Sequence, residues 1–276
     1  MNNITCVVND IAGEGSDFRS EHGLSLWIDT PDGSLLYDTG QSADVLTHNL
    51  RLLGLDKDSL SALAFSHAHY DHTGGLEALA PFPEGLEIYA LPDLFRQRYS
   101  KRKGKYEQVG LQDAQTNLLS QVDLHAMEEP QPIFPHLWTT GVIKDRSEPE
   151  GRSSHHFIKA EDGWQPDRYL DDMSLVLQTQ KGLILICGCC HAGLLNTLAH
   201  VRDHFSQPII AIVGGTHLLS AEGPLLDHVV DVLQTQYAPL DLYLNHCTGE
   251  HAIQVLKEAF PNHVQDFWAG SSIQFS

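Results

Sequence analysis

The chain has 276 residues, 42% of them hydrophobic, enough to close a substantial core as one large domain or two small ones. Seventeen Lys and Arg against 36 Asp and Glu leave a formal net charge of −19. A field of that sign repels phosphate backbones, which excludes nucleic acid as an expected partner, and no apolar run reaches the roughly 18 residues that span a bilayer.

Met1-Asn2-Asn3-Ile4 has neither the basic start nor the apolar stretch of an export signal, so the expected location is cytoplasmic. Ile4 to Val8 reads as a short strand, and Leu24 to Ile28 alternates apolar and polar. A turn at Pro31-Asp32-Gly33 leads into Leu35 to Tyr37. Leu46, Leu50 and Leu53 recur at helical spacing, predicting a helix from about Ala43 to Leu53 that Gly54 ends. Leu60 to Phe65 is apolar and delivers the chain into Ser66-His67-Ala68-His69-Tyr70-Asp71-His72-Thr73-Gly74-Gly75.

From about 92 to 170 the pattern is irregular, with prolines at 130, 132, 135 and 149. A segment of that length within a compact domain is usually functional or mobile. Arg96, Arg98, Lys101, Arg102, Lys103 and Lys105 gather six of the 17 basic residues. They form either a solvated helix end and loop or a rim that attracts an anion. Arg146, Arg152, His155 and His156 are further pocket candidates.

The second half is more regular. Strands are predicted at Ser174 to Thr179, Leu183 to Cys187, Pro208 to Val213, Leu240 to Leu244 and near Ile273. Helices follow His191 (Leu194, Leu198, Val201, Phe205), Gly223 (Leu226, Val229, Val230, Leu233) and His246 (Ile253, Leu256, Phe260). Each candidate ligand group therefore stands where a strand ends, the usual site position on α/β scaffolds.

Three imidazoles and one carboxylate stand within the six residues His67 to His72. In an extended segment residues two apart share a side, so His67 and His69 can grip one ion. A turn then carries Asp71 and His72 to a second position beside it. Such donors suit zinc, and also iron or manganese. Five cysteines, Cys6, Cys187, Cys189, Cys190 and Cys247, are odd in number and clustered, which does not suggest a disulfide framework. Cys187, Cys189 and Cys190 read as small buried residues rather than a Cys-rich zinc site. Cys190 and Cys247 adjoin candidate ligands and are placed just behind them.

His67 to His72 matches the His-x-His-x-Asp-His motif of the metallo-β-lactamase superfamily, which the chain resembles along nearly its whole length. Leu35-Leu36-Tyr37-Asp38-Thr39-Gly40 is similar to the first motif, Cys189-Cys190-His191-Ala192-Gly193 to the third, and Asn245-His246-Cys247-Thr248-Gly249 to the last. The resemblance implies one α/β domain over 1–276, a four-layer αββα sandwich, with about 92–170 as an inserted cap over the active site. It also implies two divalent ions, zinc foremost with manganese or iron as alternatives. His67, His69 and His191 would hold the first, and Asp71, His72 and His246 the second. Asp38 either accepts a hydrogen bond from a ligand imidazole or is a turn residue before Thr39-Gly40.

The chain departs from the common binuclear pattern at Gly214-Gly215-Thr216-His217, where a bridging Asp is usual. Water or hydroxide alone then bridges the ions, or His217 serves as ligand or general acid, or the second position is only partly filled. Glu21-His22-Gly23-Leu24-Ser25 and the paired Asp171-Asp172 resemble the dihydropterin-aminobenzene ribofuranosyl phosphate synthase-like subgroup. His22 lines the site in that reading and is an ordinary loop residue otherwise.

The expected function is a metal-dependent hydrolase that turns a metal-bound hydroxide on a small, anionic, phosphoester-type substrate, with Asp71 and His217 catalytic. The alternative is a pterin-linked synthase acting on a phosphorylated ribofuranosyl-aminobenzene. A third is a non-catalytic ligand sensor, against which the full ligand set argues. The expected partner is a small molecule, with neither nucleic acid nor membrane. β-Lactam hydrolysis and RNA processing are both disfavoured.

Overall fold

A computed structural model describes residues 1–276. Two seven-stranded sheets stack face to face, and helices cover both outer faces. Three apolar clusters separate the resulting four layers. The central cluster joins the sheets through Ile4, Leu26 and Leu35 on one side and Leu175, Ile186 and Val213 on the other. A second lies under the helices Leu194–His204, Pro224–Val232 and Glu250–Ala259, and a third under Ala43–Leu53.

The strand Leu183–Cys187 shows how sequence builds this stack. All five residues are buried, and they alternate between layers. Ile184 and Ile186 face the inter-sheet core, while Leu183, Leu185 and Cys187 face the helices. A strand covered on both faces reads as a continuous apolar run for this reason. The helix Ala43–Leu53 is equally legible: the Ser42 hydroxyl accepts the Val45 amide at its start, and Gly54 closes it at φ +70°.

The stretch 92–170 is more ordered than its composition suggests. Arg98–Arg102 and Lys105–Gln108 form a hairpin, as do His156–Ala160 and Gly163–Pro166, and the two hairpins combine in a separate four-stranded sheet. Between them, Leu124–Ala126 joins one main sheet, while Pro132–Phe134 and Leu137–Thr139 join the other. The chain leaves the sandwich twice to build one small sheet, so the added part is two segments rather than one. The basic cluster divides accordingly. Arg98 is fully buried against Asp93, Asp167 and Asp171, whereas Arg102 borders the cavity beside the histidines.

Parallel strands aim the functional loops. Leu183–Cys187, Ile209–Gly214 and Asp241–Leu244 run parallel, so residues 188–191, 215–217 and 245–246 emerge on one edge. In the other sheet Gly33–Tyr37 and Leu60–Ala64 are parallel and deliver Asp38 and Ser66 to that same edge. No helix is long and apolar enough to cross a membrane.

Candidate metal centre

Four imidazoles present their Nε2 atoms inward because each Nδ1 is held from behind. His72 Nδ1 donates to Asp38 Oδ2 at 2.7 Å, and His246 Nδ1 donates to Asp10 Oδ1 at 2.6 Å. His191 Nδ1 donates to the Gly151 carbonyl at 2.9 Å. His67 Nδ1 donates to Ser66 Oγ at 2.9 Å, while that hydroxyl donates onward to Asp38 Oδ2 at 2.6 Å. An acceptor behind the ring fixes the tautomer and leaves the other lone pair free. His191 Nε2 is buried without any hydrogen-bond partner in the protein, as a lone pair kept for a cation or a ligand would be.

The fifth ring, His69, turns the other way and places Nδ1 3.0 Å from His67 Nε2. The rings of His67, His69 and His191 enclose one position, with centroids 4.5, 4.8 and 5.1 Å apart. Beside it, His72 Nε2 lies 3.2 Å from His246 Nε2, and Asp71 Oδ2 is 3.6 Å from both. The two triads named from the sequence are thus brought together side by side.

These separations fit a cation. A tetrahedron with zinc–nitrogen bonds of about 2.0 Å has donor–donor edges of about 3.3 Å. Asp38 ties the halves together, accepting the Ser66 amide as well as the Ser66 hydroxyl and His72. It sits behind the rings, not among them. Gly188 makes this possible, because a side-chain carbon there would fall 2.2 Å from Ser66 Oγ. Five of the seven non-glycine residues with positive φ surround the site: Asp38, Tyr169, Cys190, His217 and His246. Backbone in that region is costly and collects where surrounding structure enforces it.

The electrostatics separate the triads. Burial, reinforced by neighbouring imidazoles, holds His67 and His191 well below the ordinary histidine range, and burial with the His156 ring and the Arg98 charge does the same for His69. All three are neutral, lone pairs available. Burial also acts against a charged His72, but the Asp38 and Asp71 carboxylates outweigh it and its pKa is raised. His22 lies 3.0 Å from Asp10 Oδ2 through Nδ1 and 3.3 Å from Asp71 Oδ2 through Nε2. The Asp10 hydrogen bond, stronger than the opposing burial, raises it to about 9. His22 also lines the cavity in front of the rings.

His217 lines the cavity with its ring 4.4 Å from that of His191. None of the convergent donor groups includes it, and the same is true of His69 and Asp71. Burial first, then the nearby His246, lowers it to about 4.

Two participants had no reading in the sequence, and a third has a contact that the sequence did not show. Asp10 follows the first strand and holds both His22 and His246; a lone acid after a strand end is the signal, as it is for Asp38. Tyr169 stacks on His191 at 4.0 Å and meets His156 Nδ1 at 2.7 Å, with nothing in its sequence context to mark it. Cys189 is buried, as the sequence reading has it, and also places Sγ 3.2 Å from His72 Nε2. Its neighbours Cys187 and Cys190 do lie in the apolar core, and all five cysteines are free thiols.

A cavity of about 570 Å³ opens in front of the rings. Tyr70, Arg102, Arg152, His155 and His156 line part of it, and Leu194, Leu195, Leu218, Leu219 and Leu225 another part.

The family model of the metallo-beta-lactamase superfamily matches residues 20–157, half of the chain, and the chain belongs to that superfamily. One relative is the 7,8-dihydropterin-6-methyl-4-(beta-D-ribofuranosyl)-aminobenzene-5'-phosphate synthase of Methanocaldococcus jannaschii. It is 26% identical over 288 residues, which cover 99% of this chain and 96% of that protein. The uncharacterized protein MJ0448 of the same organism is 30% identical over 247 residues, covering 87% and 89%. Among solved structures, Tm1679, described as a metal-dependent hydrolase of the beta-lactamase superfamily, is similar with a TM-score of 0.85. It is 27% identical, and each chain is covered completely.

Proposed function

We propose that the chain is a metal-dependent hydrolase of small anionic esters, phosphoesters foremost. In this reading His67, His69 and His191 hold one divalent cation and Asp71, His72 and His246 hold another. The observation that carries it is the orientation of four Nε2 lone pairs into two adjoining donor groups, each ring fixed by an acceptor behind Nδ1. Divalent cations held by these residues would acidify a bound water and polarise the bond under attack.

The chain's own side chains supply the rest. Asp71 Oδ2, 3.6 Å from both His72 and His246, is placed to orient the attacking water. His217 is uncharged at neutral pH and borders the cavity, so it fits a hydrogen-bonding partner of the leaving oxygen better than a standing acid. Arg102 forms no salt bridge and reaches the cavity rim, where it offsets the overall negative field for an anionic substrate.

Similarity over nearly the full length to a synthase favours a second reading. The same cations and rim would then hold a phosphorylated ribofuranosyl-aminobenzene while a pterin partner occupies the leucine wall.

The test is turnover of bis-p-nitrophenyl phosphate by protein loaded with zinc or manganese. Hydrolysis that a chelator abolishes, and that His191→Ala lacks, supports the first reading. Metal-loaded protein that leaves the diester intact but binds a dihydropterin supports the second.

A further inference from the structure

The two cation positions share one donor outside the expected ligand set. Cys189 Sγ converges with His67 and His191 in one group of donor atoms and with His72 and His246 in another. Within each group every atom lies within 4.8 Å of the others. Cys189 is the residue common to both groups, and it stands 3.2 Å from His72 Nε2. A nitrogen–sulfur edge of a zinc tetrahedron is about 3.5 Å, from bonds of about 2.0 and 2.3 Å, so the thiol is already near ligand distance.

Charge makes the same point. Two divalent cations in neighbouring positions repel strongly unless an anion lies between them. The first triad offers three imidazoles and no negative charge. The strand end that would present a carboxylate reads Gly214-Gly215-Thr216-His217. Gly215 is packed so closely that a side-chain carbon there would meet the Gly188 carbonyl at 2.4 Å and Cys247 Sγ at 2.7 Å. Only a residue without a side chain fits, and the space between the triads is left to Cys189.

We propose that Cys189 binds as a thiolate shared by both cations, in the place of a bridging carboxylate. The thiol proton leaves to solvent as the cations bind. A soft sulfur ligand favours zinc, cobalt or iron over manganese or magnesium. The inference rests on the two-cation reading above, and its test separates the two.

Metal-free protein is titrated with cobalt(II) without oxygen, and absorption is followed from the visible to the near ultraviolet. Visible bands report cobalt bound by the site; a near-ultraviolet charge-transfer band reports cobalt bound to sulfur. The expected result is a charge-transfer band that grows across both equivalents, is lost in Cys189→Ser and survives in Cys247→Ser. In Cys189→Ser the second equivalent should bind about 10- to 100-fold more weakly. Bound cobalt without the charge-transfer band, or a band that persists in Cys189→Ser, overturns the proposal and leaves the two-cation reading standing. A band that saturates at one equivalent overturns the sharing. Failure to bind cobalt at all overturns both. A measurement on the unaltered chain guards against a misfolded variant: zinc should slow alkylation of Cys189, read by peptide mapping, at least about tenfold. Equal rates with and without zinc overturn the assignment.

Discussion

Asp171 and Asp172 are consecutive, and each carries a different histidine loop. Asp171 Oδ2 accepts the Ala68 amide at 2.8 Å, between His67 and His69. Asp172 Oδ2 accepts the Ala192 amide at 2.8 Å, directly after His191. Both carboxylates are buried, and the next residue, Met173, donates its amide to the Ser66 carbonyl at 2.9 Å. One short segment therefore sets the spacing between rings that arrive from opposite sheets.

This arrangement predicts that Asp172→Ala weakens zinc binding by about 10- to 100-fold, because the ring of His191 loses the support of its loop. The residue touches no ring itself, so the loss should appear in metal affinity measured by competition with a chromophoric chelator. In zinc-saturated protein the activity should largely return. Unchanged affinity would mean that the loop is held by its remaining contacts alone.

The ring set was legible because its spacing is chemical. His67 to His72 can be read from a strand and a turn, and His191 and His246 follow apolar runs that had to be strands. The layers were legible for a similar reason, since both-side burial leaves continuous apolar strands. Cys189 was not, because a buried cysteine and a ligand cysteine look alike until the direction of Sγ is known. Arg98 was hidden among surface-like basic neighbours, and its three carboxylate partners lie up to 73 positions away, at Asp171. Asp10 and Tyr169 act through contacts that only the closed fold creates.

Metal-free protein should lose stability as pH falls below about 6.5. His67, His69, His191 and His217 all have folded pKa values below their unfolded value, so the unfolded chain binds protons first. Stability from such groups is present above the unfolded pKa and is lost as pH falls, by about 1.4 kcal/mol per pH unit for each. His22 and His72 are shifted upward, so their contribution is complete below 6.5 and does not vary there. Burial raises Asp171, to about 7, and Asp172 in the opposite sense, which offsets part of the loss. The net slope should be at least that of one group. Urea unfolding in the presence of chelator at pH 7 and pH 5 measures it, and equal midpoints would contradict the neutral triad.

Arg98→Met should destabilise the chain by about 3–5 kcal/mol. The guanidinium is fully buried and lies 2.8 Å from Asp93, 3.0 Å from Asp167 and 2.6 Å from Asp171. Removing one partner of a buried ionic cluster strands the remaining charges without compensation. Because Asp171 belongs to that cluster, the same variant should also loosen the Ala68 loop and lower zinc affinity. Thermal unfolding and zinc competition on one sample distinguish a purely structural cost from one transmitted to the site.

Arg102→Ala should raise KM for an anionic ester severalfold and leave kcat nearly unchanged. Arg102 borders the cavity on the strand Arg98–Arg102 and pairs with no carboxylate. A charge in that position attracts substrate and transition state alike, and uniform binding of this kind moves KM alone. The effect should shrink as salt rises toward molar concentration, where the screening length falls to about 3 Å. A neutral ester tested beside the anionic one provides the contrast: its KM should not respond to the substitution, and an equal response would place Arg102 in a structural role.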